Sequence, residues 1–138
     1  YTERTYEELR QADLVPFAGA EEAGIDFVMV SHIAVPNVTG DNMPCSLSYQ
    51  MITQVLRGAL KYDGIIVTDA MNMGAITELY ASDEAAVAAI KAGVDVILMP
   101  EDFRLAAQGV LAAVRSGVIS EERIDESVRR LIMAKLKM

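Results

Sequence analysis

Residues 63–69 have the sequence Asp63-Gly64-Ile65-Ile66-Val67-Thr68-Asp69, a turn followed by a short apolar run and a carboxylate. The Asp-Gly pair indicates a turn, and β-forming residues bounded by a turn predict a short buried strand. Two similar runs occur, at Phe27-Val28-Met29-Val30-Ser31 and Val94-Asp95-Val96-Ile97-Leu98-Met99. Each is apolar almost throughout, which is typical of parallel strands that are covered on both faces.

Helical patterns flank and separate these runs. Ser48 is a suitable N-cap for a helix whose apolar face carries Met51, Ile52, Val55, Leu56, Ala59 and Leu60. Another helix follows Ser82 and stops near Gly93, and a third ends near Gly117. The last begins at Ser120 or Asp125, and its charges predict a solvated face. The first two dozen residues also have helical patterns, around 6–10 and 17–22.

The alternation of helices and apolar runs predicts an α/β fold built from parallel βα units. Three strands leave two unpaired sheet edges, which are a liability for a free-standing domain. Three βα units of roughly 30 residues amount to about three-eighths of a (β/α)₈ barrel. The chain is therefore either a small three-layer domain or a fragment of a larger α/β protein.

Composition narrows the function classes. The chain has 138 residues, 52% of them hydrophobic and 6% aromatic, and a net charge of −8. This length fits one core, and the acidic charge disfavours a nucleic-acid partner. One cysteine, Cys45, and one histidine, His32, exclude an internal disulfide and a Cys/His zinc site, and we expect no metal or cofactor. The apolar runs are too short to span a membrane, and no signal peptide is visible after Tyr1.

Chemistry-bearing residues follow the predicted strands, where parallel α/β folds place their sites. Asp69 follows the second strand, and it is either a carboxylate of a pocket or the cap of the next helix. His32 follows the first strand, as a pocket residue or as a hydrogen-bonded core histidine. The same positions offer Ser31 and Thr68 as donors, Met71 and Met73 as apolar surface, and Glu101 and Asp102 after the third strand. Cys45 lacks a basic neighbour in the sequence, so we do not expect it to act as a nucleophile.

The segment from Asp63 to Met73 resembles the nucleophile segment of glycoside hydrolase family 3. Further segments agree in order and spacing: Val28-Met29-Val30-Ser31-His32-Ile33, Ser46-Leu47-Ser48, Ala92-Gly93-Val94-Asp95-Val96-Ile97-Leu98-Met99-Pro100 and Ile124-Asp125-Glu126-Ser127-Val128-Arg129-Arg130. Ser-His-Ile after the first strand and Asp-Ala-Met-Asn-Met after the second are similar to the bacterial β-N-acetylhexosaminidase branch.

This resemblance implies a (β/α)₈ barrel of which residues 1–138 form the C-terminal part, roughly the sixth to the eighth βα unit. It implies a retaining β-N-acetylglucosaminidase acting on cell-wall or chitooligosaccharide fragments, with Asp69 as the nucleophile and His32 and Met73 lining the sugar pocket. The Lys-His and Asp-Ser-His motifs of the family's acid/base loop are absent from the sequence. We therefore expect the isolated chain to hydrolyse little or nothing.

Two other readings remain open. A non-catalytic chain could assemble with itself or with another chain through its open sheet edges. A different barrel enzyme, such as an aldolase or isomerase, could use Asp69 as a general base, although no lysine follows any predicted strand to form a Schiff base. The resemblance leaves the compartment open between the bacterial cytoplasm and the cell envelope.

Overall fold

The structure, a computed structural model, describes residues 1–137 apart from the side chain of Glu21. Helices and short strands follow one another along the chain. The elements are the helices α1 (Tyr6–Gln11), α2 (Val15–Glu22), α3 (Pro36–Thr39), α4 (Gly74–Thr77), α5 (Ser82–Ala92), α6 (Phe103–Arg115) and α7 (Glu121–Leu136), the strands β1 (Phe27–Val30) and β2 (Ile65–Thr68), a 3₁₀ turn (Cys45–Leu47) and a π-helix (Gln50–Ala59).

The strands β1 and β2 pair in parallel, with Val28 opposite Ile66 and Val30 opposite Thr68. The chain crosses from one to the other through α3 and the π-helix, which makes a helical crossover between parallel strands. Ile66 and Thr68 are fully buried, as expected for a covered strand. The predicted α/β class with a small parallel sheet is therefore confirmed.

The third predicted strand, over 94–99, does not form a regular strand, and that prediction is wrong. This segment meets β2 through a single parallel bridge between Val67 and Val96. The N–H groups of Asp95 and Val96 both donate to the carbonyl oxygen of Ile66. Two residues therefore face one residue, as in a β-bulge, and the ladder is interrupted.

Side-chain hydrogen bonds connect this segment to β2 at positions where the regular backbone pairing is interrupted. Thr68 Oγ1 accepts a hydrogen bond from the N–H of Leu98 at 3.0 Å. At the other end of β2, the carboxylate of Asp95 accepts from the N–H of Ile66 at 2.9 Å. These side-chain bonds add to the backbone bonds that hold the segment beside β2, and an apolar pattern alone does not reveal them.

The main core lies between the sheet and its covering helices, and its apolar side chains come from nearly every element. Each fully buried aliphatic side chain contributes about 1.5–3 kcal/mol to folding. Its larger members are Val28, Leu47, Ile52, Leu56, Tyr62, Ile66, Met71, Ile76 and Val94. Small residues complete the core and let helices approach closely, because a Cβ atom at Gly109 of α6 would overlap Asp83 of α5.

Most helix boundaries agree with the prediction. Gly93 ends α5 with a φ of 114°, in the left-handed region that favours glycine. The hydroxyl of Ser120 accepts from the N–H of Arg123 at 3.2 Å, so α7 begins after Ser120 rather than at Asp125. Among residues 1–137, no helix combines the length and the apolar character needed to cross a membrane.

The helix predicted after Ser48 differs in its winding. Its last turn closes with a bond of 2.9 Å from the N–H of Leu60 to the carbonyl of Val55, five residues earlier. The predicted apolar face is nevertheless buried at Ile52, Val55 and Leu56. In so short a helix, the spacing of apolar residues does not distinguish α from π winding.

A buried carboxylate, that of Asp95, ties β2 to two helical segments, the π-helix and α7. Its side chain is fully buried, and Oδ2 lies 2.5 Å from Arg57 Nη2 on the π-helix. Oδ1 accepts from Ser127 Oγ at 2.6 Å and from Arg130 Nη1 at 3.2 Å, both on α7. Arg123 Nη2 lies 3.8 Å away. We call these five residues the Asp95 cluster.

The Asp95 cluster gives Asp95 a structural role and corrects one prediction. Arg130 was expected on the solvated face of α7, yet its side chain is only 24% exposed. Burial lowers the pKa of the Arg57 and Arg123 guanidinium groups, while the charge of Asp95 opposes that shift. Arg57 also donates to the carbonyls of Tyr62 and Gly64. The cluster therefore fixes the turn that leads into β2.

We expect Asp95→Ala to lower the free energy of unfolding by about 3–5 kcal/mol, because it leaves largely buried guanidinium groups without their counter-charge. Urea unfolding followed by circular dichroism measures the change. Asp63→Ala is the matched control, since the Asp63 side chain is 95% exposed and lies 3.7 Å from Arg130. Equal losses for the two variants would contradict a supporting role for the buried carboxylate.

Candidate functional site

Asp69 and His32 lie together at the carboxyl end of the sheet. The N–H of Asp69 donates to the carbonyl of Val30 at 2.9 Å, so parallel pairing continues one residue beyond β2. Side chains alternate along a strand, and Thr68 points into the helix-covered side, where it is fully buried. Asp69 therefore faces away from that buried side, and it is partly exposed.

The carboxylate of Asp69 is held by the residue that follows it. Oδ1 accepts from the N–H of Ala70 at 2.7 Å. Within residues 1–137, Oδ2 has no hydrogen-bond partner, so one oxygen is fixed and the other is available. Asp69 does not cap α4, which begins at Gly74 after the cap residue Met73.

His32 bridges two other segments. Its Nδ1 lies 2.7 Å from the hydroxyl of Ser46, which is fully buried. Its Nε2 lies 3.0 Å from the carbonyl oxygen of Ala70. Both ring nitrogens therefore have protein partners, and the ring remains partly exposed.

The remaining strand-end candidates divide into structural and accessible side chains. Thr68 is bonded to the N–H of Leu98, and Met71 is 3% exposed in the core, so both have structural positions. Met73, four residues after Asp69, is 45% exposed. Asp102 caps α6 by accepting from the N–H of Leu105 at 2.9 Å.

The backbone conformation of Met99, at the end of the third predicted run, was not predicted from the sequence. Met99 has a φ of 46°, a left-handed conformation that costs energy in a residue with a side chain. Its side chain is 56% exposed, and it follows Leu98, whose carbonyl accepts from the N–H of Met71 at 2.8 Å. Backbone strain of this kind concentrates at functional sites, but no sequence pattern for a φ above zero exists at a methionine.

A large cleft of the structure lies away from Asp69. This cleft of about 550 Å³ between α6 and α7 is lined by apolar residues that include Ile97, Phe103 and Val110. Asp69 lines neither this cleft nor four smaller cavities of residues 1–137. Within the described residues, Asp69 therefore lies at a partly exposed surface at the carboxyl end of the sheet.

Cys45 lies in a second, smaller core with Leu9 and Val35. Burial raises the pKa of its thiol to about 11. The thiolate is the reactive form, so this environment agrees with the expectation that Cys45 is not a nucleophile. Among residues 1–137, no group of three or more His, Cys, Asp or Glu side chains is arranged to hold a metal ion.

Comparisons with known proteins support the resemblance. The sequence model described as the N terminal domain of glycosyl hydrolase family 3 matches residues 1–134. The chain belongs to glycosyl hydrolase family 3. A family 3 beta-N-acetylglucosaminidase from a Paenibacillus species has a similar solved structure, with a TM-score of 0.94 and 43% identity over 98% of this chain and 26% of that one.

Two bacterial relatives place this family 3 chain near the hexosaminidases. Beta-hexosaminidase from Hydrogenovibrio crunogenus is 36% identical over 88% of this chain and 34% of its own length. Beta-hexosaminidase A from Pseudoalteromonas piscicida is 31% identical over 96% of this chain and 25% of its own length. The predicted resemblance to that branch is confirmed, and the chain spans a quarter to a third of these relatives.

We expect the thiol of Cys45 to react slowly with Ellman's reagent in the folded family 3 chain. At pH 8 a thiol with a pKa of about 11 is about one-thousandth thiolate, and the fraction rises about tenfold per pH unit. Labelling rates between pH 7 and pH 9 test this, with the same chain in concentrated urea as the control. A folded-state rate equal to the rate in urea would contradict the buried placement.

Proposed function

We propose that this chain is the nucleophile-bearing C-terminal part of a retaining β-N-acetylglucosaminidase, with Asp69 as the nucleophile. The single observation that carries the proposal is the position of Asp69, partly exposed at the carboxyl end of β2 with one oxygen unpaired. The hexosaminidase names of the relatives support the choice of sugar.

The proposed reaction has two displacements at carbon one of the sugar. Asp69 Oδ2 attacks this carbon while the bond to the leaving oxygen breaks, and a general acid protonates that oxygen. The resulting glycosyl ester is then hydrolysed by water, whose proton goes to the same group acting as a base. That acid/base group belongs to an earlier loop of the barrel, outside the 138 residues.

We also propose sugar contacts for two neighbours of Asp69. Met73 offers an exposed, polarisable side chain that can pack against the apolar face of a sugar ring. His32 contributes the edge of its ring, because both of its nitrogens have protein partners. Free ends of cell-wall or chitooligosaccharide fragments are the substrates proposed for the complete enzyme.

The proposed place of residues 1–138 is the last three βα units of the barrel. Phe27 and Met29, on the face of β1 opposite the buried Val28, are 53% and 51% exposed. An apolar sheet face that no helix covers favours burial inside a closed barrel, whose interior is filled by side chains. The outer edge of the bulged segment 94–99 is where a further strand of the proposed barrel would pair.

The same exposed residues favour a second candidate function, a non-catalytic chain that completes a sheet with itself or with another chain. Light scattering on the purified 138-residue chain distinguishes the two. An oligomer whose size is unchanged in Asp69→Asn would support assembly as the function. A strictly monomeric, cooperatively folding chain would contradict it.

In the complete barrel protein, we expect Asp69→Gly to lower kcat for a fluorogenic N-acetylglucosaminide on the order of 10³-fold or more, because no covalent intermediate can form. Azide should restore turnover and give the α-glycosyl azide, because it attacks carbon one from the side that the deleted carboxylate occupied. Asp63→Asn is the control, with an exposed carboxylate at the opposite end of β2. Full activity in Asp69→Gly would contradict the proposal.

We expect the isolated 138-residue chain to be at least about 10²-fold less active than the complete barrel, because it lacks the acid/base group. The same fluorogenic assay measures this, with the complete protein at equal concentration as the control. Comparable turnover by the short chain, abolished in Asp69→Asn, would show that the earlier units are dispensable.

A further inference from the structure

His32 joins three segments that are far apart in the sequence. It follows β1, it contacts Ser46 in the 3₁₀ turn at 2.7 Å, and it contacts the carbonyl of Ala70 beyond β2 at 3.0 Å. Ser46 is fully buried, so its end of the bridge is fixed in the protein interior. The bridge therefore anchors the residue after Asp69 to the main body of the fold.

The partners decide where the imidazole protons lie. A carbonyl oxygen can only accept, so Nε2 carries a hydrogen and donates it to Ala70. In the neutral ring Nδ1 then accepts from the hydroxyl of Ser46, which fixes the tautomer. In this arrangement His32 has neither a free lone pair nor a spare N–H with which to bind a sugar hydroxyl.

The peptide group between Ala70 and Met71 is held at both ends. Its carbonyl oxygen accepts from His32, and its N–H donates to the carbonyl of Leu98 at 2.8 Å. Ala70 in turn donates its own N–H to Asp69 Oδ1 at 2.7 Å. The orientation of the Asp69 carboxylate thus depends on Ala70, and the orientation of Ala70 depends on His32.

We propose that His32 is a positioning residue, which orients the Asp69 carboxylate through Ala70. This inference rests on the proposed role of Asp69 as the nucleophile. A carboxylate that attacks carbon one must hold one oxygen in line with the bond that breaks, and a misplacement of about 1 Å can cost roughly 10²-fold in rate. The bridge holds the peptide between Ala70 and Met71 and so limits the movement of Ala70, whose own N–H holds Oδ1. Oδ2 is thereby kept directed outward.

Three variants of the complete barrel protein test this role. His32→Phe removes both bonds and keeps a ring, so kcat should fall about 10- to 100-fold while KM changes less than about threefold. His32→Gln retains a donor for the Ala70 carbonyl, so it should recover most of kcat. Ser46→Ala removes the partner that fixes the tautomer, so its kcat should lie between those of the wild type and His32→Phe.

A stability control separates positioning from general damage. Tyr62→Phe deletes a buried hydroxyl that donates to the carbonyl of Ile25 at 3.0 Å, at the opposite end of β2. We expect this variant to melt at a lower temperature with an unchanged kcat. His32→Phe and His32→Gln should melt alike yet differ in kcat.

Two results would overturn the inference. A raised KM with unchanged kcat in His32→Phe would show that the His32 nitrogens bind the sugar rather than position Asp69. Equal kcat values for His32→Gln and His32→Phe would show that the bond to Ala70 does not matter. Azide rescue of Asp69→Gly is scored separately, so failure of the nucleophile assignment is distinguishable from failure of the His32 inference.

Discussion

The buried carboxylate of Asp95 is the interaction on which the rest of this structure depends. It is fully enclosed and meets guanidinium groups from the π-helix and from α7, together with the hydroxyl of Ser127. It also accepts from the N–H of Ile66 and so takes the place of a backbone partner in the sheet. Removing one member leaves buried charge uncompensated, which makes the cluster a strong constraint on how the helices sit against β2.

The two ends of β2 consequently have different roles. The amino-terminal end is held by the Asp95 cluster, and the turn before it is fixed by Arg57. The carboxyl-terminal end presents Asp69, which is partly exposed and bonded through one oxygen. Barrel enzymes show the same division, with stability at the bottom of the strands and chemistry at the top. His32, at the carboxyl end of the strands, contributes to both stability and chemistry, because it ties Asp69 to the core through Ala70 and Ser46.

Local patterns predicted the elements whose causes are local. The apolar runs at β1 and β2, the glycine that ends α5 and the serine that precedes α7 are legible because strand burial and helix capping involve near neighbours in the sequence. The bulge at 94–99 was not predictable, because it depends on side chains that replace backbone partners. The partners of His32 lie 14 and 38 residues away, so no spacing rule could find them. The strand-end position of Asp69 was predictable, since parallel strands place their carboxyl ends at one edge.

Covalent trapping tests the central claim, that Asp69 bonds to carbon one of the sugar, most directly. A fluorinated N-acetylglucosaminide with a good leaving group slows hydrolysis of the glycosyl ester, so the intermediate accumulates on the complete barrel protein and can be digested and sequenced by mass spectrometry. The account predicts a single modified peptide containing residues 63–73, with the sugar on Asp69. A sugar found on any other carboxylate would contradict it.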